Sequence, residues 1–276
     1  MDRIRLIASD MDATLLDEQS QLPADFEETI YALAELGIRF APASGRPLYT
    51  LEELFPALRD ELVFIGDNGG AIRWKGQNLF TSEMSPEGWR ALNRLTREQG
   101  DIAVLCGLES AYVERPFAVH DAVLRHFYTK IEYVDRLEDV AAPADKFTIY
   151  LPQHNAQQAY DTVYASQQSI YSVAVAGECW VDIMNPGVHK GAALQTLGQL
   201  WDLPSESMMA FGDTYNDAEM LQTVRYGFLM ENGSEPLRQK VPFLAPSHRE
   251  AGVMQVLHRV LAQNGCVCPE DFVPAH

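Results

Sequence analysis

In the stretch RIRLIASDMDATLL, residues 3–16, a short apolar segment is followed by two carboxylates. Its first half is apolar enough for a buried strand. Asp10 and Asp12 follow one residue apart, so their side chains leave such a strand on the same side, and the turn into Thr14 can direct them towards one point. Converging acids are typical of a site for a hard divalent cation such as Mg²⁺. Aspartate is also common in turns that follow strands, so this stretch alone leaves both interpretations open.

The composition indicates a soluble globular protein of about two domains. The chain has 276 residues, of which 47% are hydrophobic and 22% are charged, without low-complexity segments. Its formal net charge of −18 argues against nucleic acids and anionic membranes as partners, because both favour basic surfaces. No apolar run approaches the roughly 20 residues of a membrane span, and the first strand begins close to Met1. We therefore expect no cleaved signal and a cytoplasmic location.

The cysteines do not form a zinc motif. Two of them make a C-x-C pair near the carboxyl terminus, but no second Cys/His pair at zinc spacing accompanies it. We expect reduced, inert thiols rather than a soft-metal site. The four are Cys106, Cys179, Cys266 and Cys268.

Residues 23–43 predict a helix followed by a second strand. The helical periodicity of residues 23–36 ends at Gly37, and residues 38–43 are mostly apolar. A strand, a helix and a strand make a right-handed crossover, which places two parallel strands side by side with their carboxyl ends together. The second strand is therefore expected to end beside Asp10.

At that end stands Ser44-Gly45-Arg46-Pro47. The serine offers a hydroxyl, the glycine allows close backbone approach, and the proline suits the first turn of a helix, whose free N–H groups favour an anion. The pair Ser44-Gly45 by itself is typical of a turn. Arg46 is either a site residue or a surface residue.

A third buried strand, residues 62–65, ends in the sequence GDNGG. Here Asn68 either lines the site or belongs to a tight connection into a hairpin over residues 71–81. From residue 82 the pattern changes to an α+β module. Ser85 is expected to cap a helix over residues 86–99. Short strands are predicted at 102–105, 111–114, 131–134, 147–151, 171–176 and 179–184, with helices at 118–126 and 153–166.

The parallel pattern resumes near residue 190. Lys190 opens a helix over residues 191–200, although the helix dipole disfavours cations there, so it either meets an anion or is solvated. His189 is expected to be incidental. A strand over residues 208–211 runs into Gly212-Asp213-Thr214-Tyr215-Asn216-Asp217, where a buried strand again ends in carboxylates. A helix at 218–223, a strand at 226–230, a last helix at 251–262 and a peripheral tail after Gln263 complete the prediction.

The motifs DMDAT, SGR, the helix-starting lysine and GDTYND all follow strands or begin helices, at the edge where open α/β sheets bind ligands. Their order resembles the haloacid dehalogenase superfamily of phosphohydrolases, and the insertion resembles its Cof-like, type IIB capped branch. The resemblance covers nearly the whole chain. It implies an α/β fold with a Rossmann-like parallel-sheet core, residues 1–81 and 186–276, and an inserted α+β cap domain of the C2B type, residues 82–185.

The resemblance also implies two-step phosphoryl transfer through an aspartyl phosphate. Asp10 matches the nucleophile and Asp12 the general acid and base. Mg²⁺ would be held by the carboxylates of Asp10 and Asp213 and by the backbone carbonyl of Asp12. The implied phosphate contacts are Ser44, Gly45, Lys190 and Asn216. The implied supporting residues are Thr14 and Asp217, and the candidate substrate contacts are Arg46 and Asn68.

The expected substrate is a small phosphorylated metabolite, such as a sugar phosphate or a phosphorylated cofactor. Arg115, Lys130 and Lys146 are candidates for steering a second anionic group, although each is expected at the surface. A phosphomutase or phosphotransferase that uses the same aspartyl phosphate remains an alternative. A non-catalytic sensor of phosphorylated metabolites is another, disfavoured by the presence of both acids of the first motif. Ala13 stands where the family commonly has glycine, and we expect activity to survive this change.

Overall fold

The computed structural model describes residues 1–276. The strands are β1 (Asp2–Arg3), β2 (Leu6–Ser9), β3 (Arg39–Pro42), β4 (Val63–Gly66), β5 (Ala71–Trp74), β6 (Gln77–Thr81), β7 (Ile102–Gly107), β8 (Ala111–Glu114), β9 (Ile131–Val134), β10 (Ala144–Tyr150), β11 (Ser172–Val175), β12 (Trp180–Met184), β13 (Met208–Gly212), β14 (Tyr226–Met230), β15 (Phe243–Ala245), β16 (Cys266–Val267) and β17 (Val273–Pro274). The α-helices are α1 (Phe26–Glu35), α2 (Leu48–Glu53), α3 (Pro86–Gln99), α4 (Asp121–Phe127), α5 (Ala156–Thr162), α6 (Lys190–Trp201), α7 (Ala218–Thr223), α8 (Glu235–Arg238) and α9 (Gly252–Ala262).

Six strands form a mostly parallel sheet in the order β17-β15-β14-β13-β2-β3. All neighbours in it are parallel except β15 and β17 at one edge. The chain extends the sheet from β2 to β3 and later returns to the other side of β2 with β13, so the direction of winding reverses between β2 and β13. Such a reversal opens a crevice at the carboxyl ends of the strands, where α/β proteins bind ligands.

Helices cover both faces of this sheet. Because successive side chains of a strand point to opposite sides, each strand contributes residues to two separate clusters. On one side, Ile7 and Phe211 pack in a cluster with residues of α1 and α9. On the other side, Leu6, Ala8 and Ala210 pack with residues of α6 and α7. Helices on both faces of a parallel sheet are the arrangement of the Rossmann-like core that the sequence predicts, and this prediction is confirmed.

A second six-stranded sheet has the order β11-β12-β10-β7-β8-β9, with β8 and β9 as its one parallel pair. Helices α3 and α5 cover one face, where Phe147 and Ile149 are buried. Ser85 caps α3 as predicted, since its Oγ accepts a hydrogen bond from Gly88 N at 3.1 Å. The predicted helices at 118–126 and 153–166 are each partly 3₁₀. The α+β character is confirmed, and the boundaries at 82 and 185 stay a prediction.

The third predicted strand, β4, does not join the main sheet as a full neighbour. It pairs antiparallel with β5, and a single parallel bridge between Ala43 and Ile65 connects it to the end of β3. The predicted hairpin over residues 71–81 is confirmed, with Lys75 and Gly76 both at positive φ in its turn.

The tail after Gln263 is not peripheral, and the prediction that it is was wrong. Strand β16 pairs with β1, and β17 adds an edge strand to the main sheet beside β15, which the sequence also did not reveal. Val267 is fully buried in the main core. Strands of two or three residues are too short to show a period of two, so no pattern indicated them.

The longest helix, α3, has 14 residues. None of the helices combines the length and the hydropathy needed to cross a membrane.

Candidate active site

The carboxyl ends of β2 and β13 and the start of α6 bring one lysine and three aspartates together. The ligand oxygens of Asp10, Asp213 and Asp217 lie within 4.8 Å of one another. Lys190 donates from Nζ to Asp10 Oδ1 at 2.5 Å and to Asp217 Oδ1 at 2.6 Å. These four residues were predicted to belong to one site, and the structure places them side by side.

Lys190 is fully buried, which excludes the interpretation of a solvated surface lysine. It is the first residue of α6, and the preceding His189 caps this helix because its Nδ1 accepts a hydrogen bond from Ala192 N at 3.1 Å. The expectation that His189 is incidental was wrong. Histidine is not among the usual capping residues, so its type did not indicate the role.

Burial and mutual repulsion disfavour negative charge in this cluster. Burial raises the pKa of Asp10 well above its ordinary value, with a further rise from Asp217 and an opposing effect from Lys190. Burial and the charge of Asp217 also raise the pKa of Asp213. For Lys190, burial alone would lower the pKa, but attraction and hydrogen bonds from Asp10 and Asp217 outweigh burial and raise it.

The donor set fits a hard divalent cation. One ammonium faces three carboxylates, so negative charge remains uncompensated, and every available ligand atom is an oxygen, as Mg²⁺ prefers. The carboxylate of Asp12 is not part of this group. The prediction that Asp12 contributes only its backbone carbonyl is compatible with that arrangement.

Three further hydrogen bonds fix the orientation of the acids. Asp217 Oδ2 accepts hydrogen bonds from the backbone N–H groups of Asp213 at 3.0 Å and Thr214 at 3.2 Å. A Cβ at Gly212 would lie 2.5 Å from Asp217 Cβ, so only glycine fits there. Thr14 Oγ1 donates to Asp213 Oδ1 at 3.2 Å. This last hydrogen bond joins the DMDAT motif to the GDTYND motif.

The side chain of Asp12 turns away from the acidic cluster and is 57% exposed. Arg46 Nη2 donates to Asp12 Oδ1 at 2.8 Å, which places this arginine in the site rather than at an unrelated surface. Ser44 is buried and its Oγ accepts a hydrogen bond from Arg46 N at 3.1 Å. The SGR motif therefore lies beside Asp12, as the crossover predicts.

Ala13 adopts φ 58°, in the left-handed region. A side chain there is disfavoured by contact with the backbone, by about 1 kcal/mol. This explains the preference for glycine that the family resemblance implies, and the tolerance of alanine, which has the smallest side chain.

A cavity of about 170 Å³ opens beside Asp12. Ser44, Gly45, Arg46, Asn68 and Asn216 line it together with residues of the second sheet. Asn68 is buried at positive φ and donates from Nδ2 to Asp182 Oδ2 at 3.2 Å. Asn216 is exposed at the cavity. All the predicted phosphate and substrate contacts except the buried Lys190 thus face one space between the two sheets.

The expectation that Lys146 lies at the surface was wrong. Its side chain is 2% exposed, and Nζ donates to Gly45 O at 2.6 Å and pairs with Asp67 Oδ1 at 2.9 Å. In β10, charged or polar residues alternate with Phe147 and Ile149, a pattern usually typical of a strand with one face in water. Here Gly45 and Asp67, which follow β3 and β4, cover this polar face at Lys146. Arg115 and Lys130 are exposed and do not line the cavity.

Asp145, next to Lys146, gives a prediction for pH dependence. It is fully buried, and burial followed by repulsion from Asp67 raises its pKa well above the ordinary value of 3.8. The folded chain therefore holds a proton that the unfolded chain releases, so stability falls as the pH rises from about 4 towards the raised pKa. Asp145→Asn cannot ionise, and we expect it to be more stable than the wild type at about pH 8, by about 1 kcal/mol or more.

Urea unfolding of Asp145→Asn at about pH 5 and pH 8 measures this effect. The advantage of the variant should grow with pH, and the exposed Asp139→Asn serves as the matched control from the same module. An advantage that is the same at both pH values, or absent at the higher one, contradicts the assignment.

Comparisons with known proteins agree with the family resemblance of the motifs. A family model described as haloacid dehalogenase-like hydrolase matches residues 7–257. The 5-amino-6-(5-phospho-D-ribitylamino)uracil phosphatase YbjI of Escherichia coli is 31% identical over 262 residues, covering 94% of this chain and 96% of that protein. An HMP-PP phosphatase of Cronobacter sakazakii is 30% identical over 249 residues, covering 87% of this chain and 89% of that protein.

Among solved structures, SMU.1108c from Streptococcus mutans UA159 has a TM-score of 0.85 at 28% identity, covering 94% of this chain and 99% of that one. The family match, the relatives that extend along almost the whole chain and the shared fold agree with the resemblance noted in the motifs. The chain therefore belongs to the haloacid dehalogenase-like hydrolase family.

Proposed function

We propose that this protein is a Mg²⁺-dependent phosphomonoester hydrolase that acts on a small phosphorylated metabolite through an aspartyl phosphate on Asp10. The coarser statement, a phosphatase of the haloacid dehalogenase-like hydrolases, follows from the family match and the relatives. The proposed mechanism rests on the contact of buried Lys190 with Asp10 and Asp217. Asp213 lies beside this contact, and Asp12 lines the adjoining cavity.

In the first step, an Asp10 carboxylate oxygen bonds to phosphorus as the ester P–O bond breaks. Protonated Asp12 gives its proton to the departing oxygen, so the leaving group departs as a neutral alcohol. In the second step, the Asp12 carboxylate takes a proton from water, whose oxygen bonds to phosphorus as the bond from phosphorus to Asp10 breaks. Inorganic phosphate leaves, and both acids return to their starting states.

The surrounding residues bind and orient the reacting groups. Lys190 fixes Asp10 by a direct hydrogen bond and places positive charge next to the transferring phosphoryl group. Ser44, Gly45 and Asn216 would hold the remaining phosphate oxygens. Asp10, Asp213 and the Asp12 carbonyl would hold Mg²⁺, which when bound offsets the repulsion between an anionic carboxylate and an anionic phosphate.

The substrate is proposed from the relatives. Both relatives carry names of phosphatases, and one name specifies a phosphorylated ribitylamino-uracil. A phosphorylated cofactor precursor is accordingly the class proposed for this chain, with sugar phosphates as the second class to test.

Metal removal tests the proposal directly. We expect the purified protein to release inorganic phosphate from p-nitrophenyl phosphate with Mg²⁺, to lose this activity in excess EDTA, and to regain it when Mg²⁺ is restored. Asp213→Asn should raise the Mg²⁺ concentration for half-maximal rate by about 10-fold or more, since it removes a carboxylate ligand. The exposed Asp60→Asn is the control.

Full activity in EDTA would show that no metal is required. Isomerisation of a sugar phosphate without net phosphate release would instead identify a phosphomutase. Tight binding of a phosphorylated ligand without turnover under any metal would identify a sensor.

A further inference from the structure

A buried network of polar side chains joins the second sheet to the loops that follow β3 and β4. At its centre, Lys146 of β10 donates from Nζ to Gly45 O at 2.6 Å and pairs with Asp67 Oδ1 at 2.9 Å. Asp182 of β12 lies 3.8 Å from the same ammonium. Burial alone would lower the pKa of Lys146, but attraction from Asp182 and Asp67 outweighs burial and raises it. The side chain therefore stays an ammonium near neutral pH.

The contact with Gly45 reaches a loop that is proposed to bind phosphate. The carbonyl of Gly45 and the N–H of Arg46 belong to one planar trans peptide, so they point in opposite directions. On the far side of this peptide, Arg46 N donates to Ser44 Oγ at 3.1 Å. Lys146 thus fixes the peptide that holds the Ser44 hydroxyl oxygen, and the hydroxyl hydrogen remains available to a phosphoryl oxygen.

This peptide needs a partner outside its own loop. Glycine places few limits on its own φ and ψ, so the peptide after Gly45 can turn unless another group holds it. No backbone N–H donates to the Gly45 carbonyl, which accepts its hydrogen bond from Lys146. The orientation of the Arg46 N–H, and with it that of the Ser44 hydroxyl, therefore depends on a side chain of the second sheet.

The loop after β4 is held from the same sheet. Asn68 Nδ2 donates to Asp182 Oδ2 at 3.2 Å, and Thr148 Oγ1 donates to the other oxygen of Asp182 at 2.7 Å. The two loops also bind each other, since Asn68 N donates to Ser44 O at 2.9 Å. Of these groups of the second sheet, only Lys146 reaches the loop after β3 directly.

We propose that Lys146 is a positioning residue for phosphoryl transfer, which fixes the Gly45–Arg46 peptide from the second sheet and thereby presents the Ser44 hydroxyl to the transferring phosphoryl group. The proposal rests on the proposed function, because Ser44 is a phosphate contact only within that function. It gives the second sheet a role in the transfer step itself. Loss of Lys146 should therefore affect every substrate, whatever its leaving group.

Substrates with different leaving groups test this independence. In Lys146→Met, we expect kcat/KM to fall by about 10-fold or more, and by similar factors, for p-nitrophenyl phosphate, ribose 5-phosphate and fructose 1,6-bisphosphate, because they share the misplaced phosphoryl contact. Lys130→Met removes an exposed lysine just before β9 and should change none of the three values. A loss confined to the bisphosphate would mean that Lys146 binds a second anion, and it would overturn the proposal.

A double-mutant cycle tests whether Lys146 acts through Ser44. Ser44→Ala removes the hydroxyl and should lower kcat/KM by about 100-fold. In the Ser44→Ala background, Lys146→Met should cost less than a further factor of about 3, because the group that it positions is already gone. Two losses that multiply would mean that Lys146 acts independently of Ser44, as a merely structural residue would, and the proposal would be wrong.

Folding requires its own control, because Lys146→Met leaves buried carboxylates without their cation. A second variant, Lys146→Met with Asp67→Asn, removes the paired charge as well, and it should lose as much kcat/KM as Lys146→Met while thermal unfolding shows a folded protein. Asp67→Asn alone keeps the contact between Lys146 and Gly45, and its amide oxygen still accepts from the ammonium, so it should lower kcat/KM by less than about 3-fold. If Asp67→Asn alone is as slow as Lys146→Met, the ion pair matters rather than the contact with Gly45, and the proposal fails.

The outcomes separate this proposal from the proposed function. If the wild type with Mg²⁺ releases phosphate from none of the substrates, the proposed function fails and the role of Lys146 fails with it. If the wild type is active and Lys146→Met is equally active, only the role of Lys146 is overturned.

Discussion

Asp10→Asn is expected to abolish phosphate release, with a loss of about 10⁴-fold or more in kcat. The amide is isosteric with the carboxylate but is too poor a nucleophile to form the bond to phosphorus. The fold should survive, because the charged form of Asp10 is already disfavoured by burial and by Asp217, and an uncharged amide removes that penalty. Lys190 keeps its second contact, to Asp217 Oδ1 at 2.6 Å.

Phosphate release with Mg²⁺ and thermal unfolding should be measured on the same preparation. The expected pattern is a lost rate with a melting temperature close to that of the wild type, while the exposed Asp60→Asn retains both. Rapid mixing with substrate, followed by acid quench, should trap phosphate on the wild-type protein and none on the variant. Turnover within about 10-fold of the wild type would refute nucleophilic attack by Asp10.

Lys190→Met is expected to reduce both activity and stability. It removes the one ammonium among three carboxylates, and loss of one partner of a buried ion pair costs about 3–5 kcal/mol. Part of that cost will be relieved because Asp10 takes up a proton, which also removes its nucleophilic form. We expect kcat to fall by about 100-fold or more, as for other losses of charge stabilisation at a transferring group.

Urea unfolding of Lys190→Met in EDTA and in excess Mg²⁺ tests the charge argument. Mg²⁺ should restore more stability to the variant than to the wild type, since the cation binds the folded state where negative charge is most in excess. Lys240→Met removes an exposed lysine and should change neither quantity. A variant as stable in EDTA as the wild type would mean that the three acids are not jointly ionised, and the proposed cation site would lose its basis.

The residues of the cavity wall were harder to predict from the sequence than those of the acidic cluster, because the two sheets are built differently. The proposed catalytic residues stand directly after a strand of a parallel sheet, and their spacing within the motif is local. On the side of the second sheet, the cavity wall comes instead from α4, β10 and β12, and the two strands meet through antiparallel pairing such as that of Tyr150 with Trp180. No short motif marks that pairing, so Trp180 and Asp182 carried no signal in the chain.

The sequence by itself determined the fold class, most of the strands and helices, and the convergence of Asp10 and Asp213, because parallel strands joined by right-handed crossovers end at the same edge. Only the tertiary structure decided that Lys146 is buried, that His189 caps α6 and that the tail completes the main sheet. The reason is physical: alternation along a strand divides its side chains between two faces, but which face meets water depends on what another part of the chain lays over it.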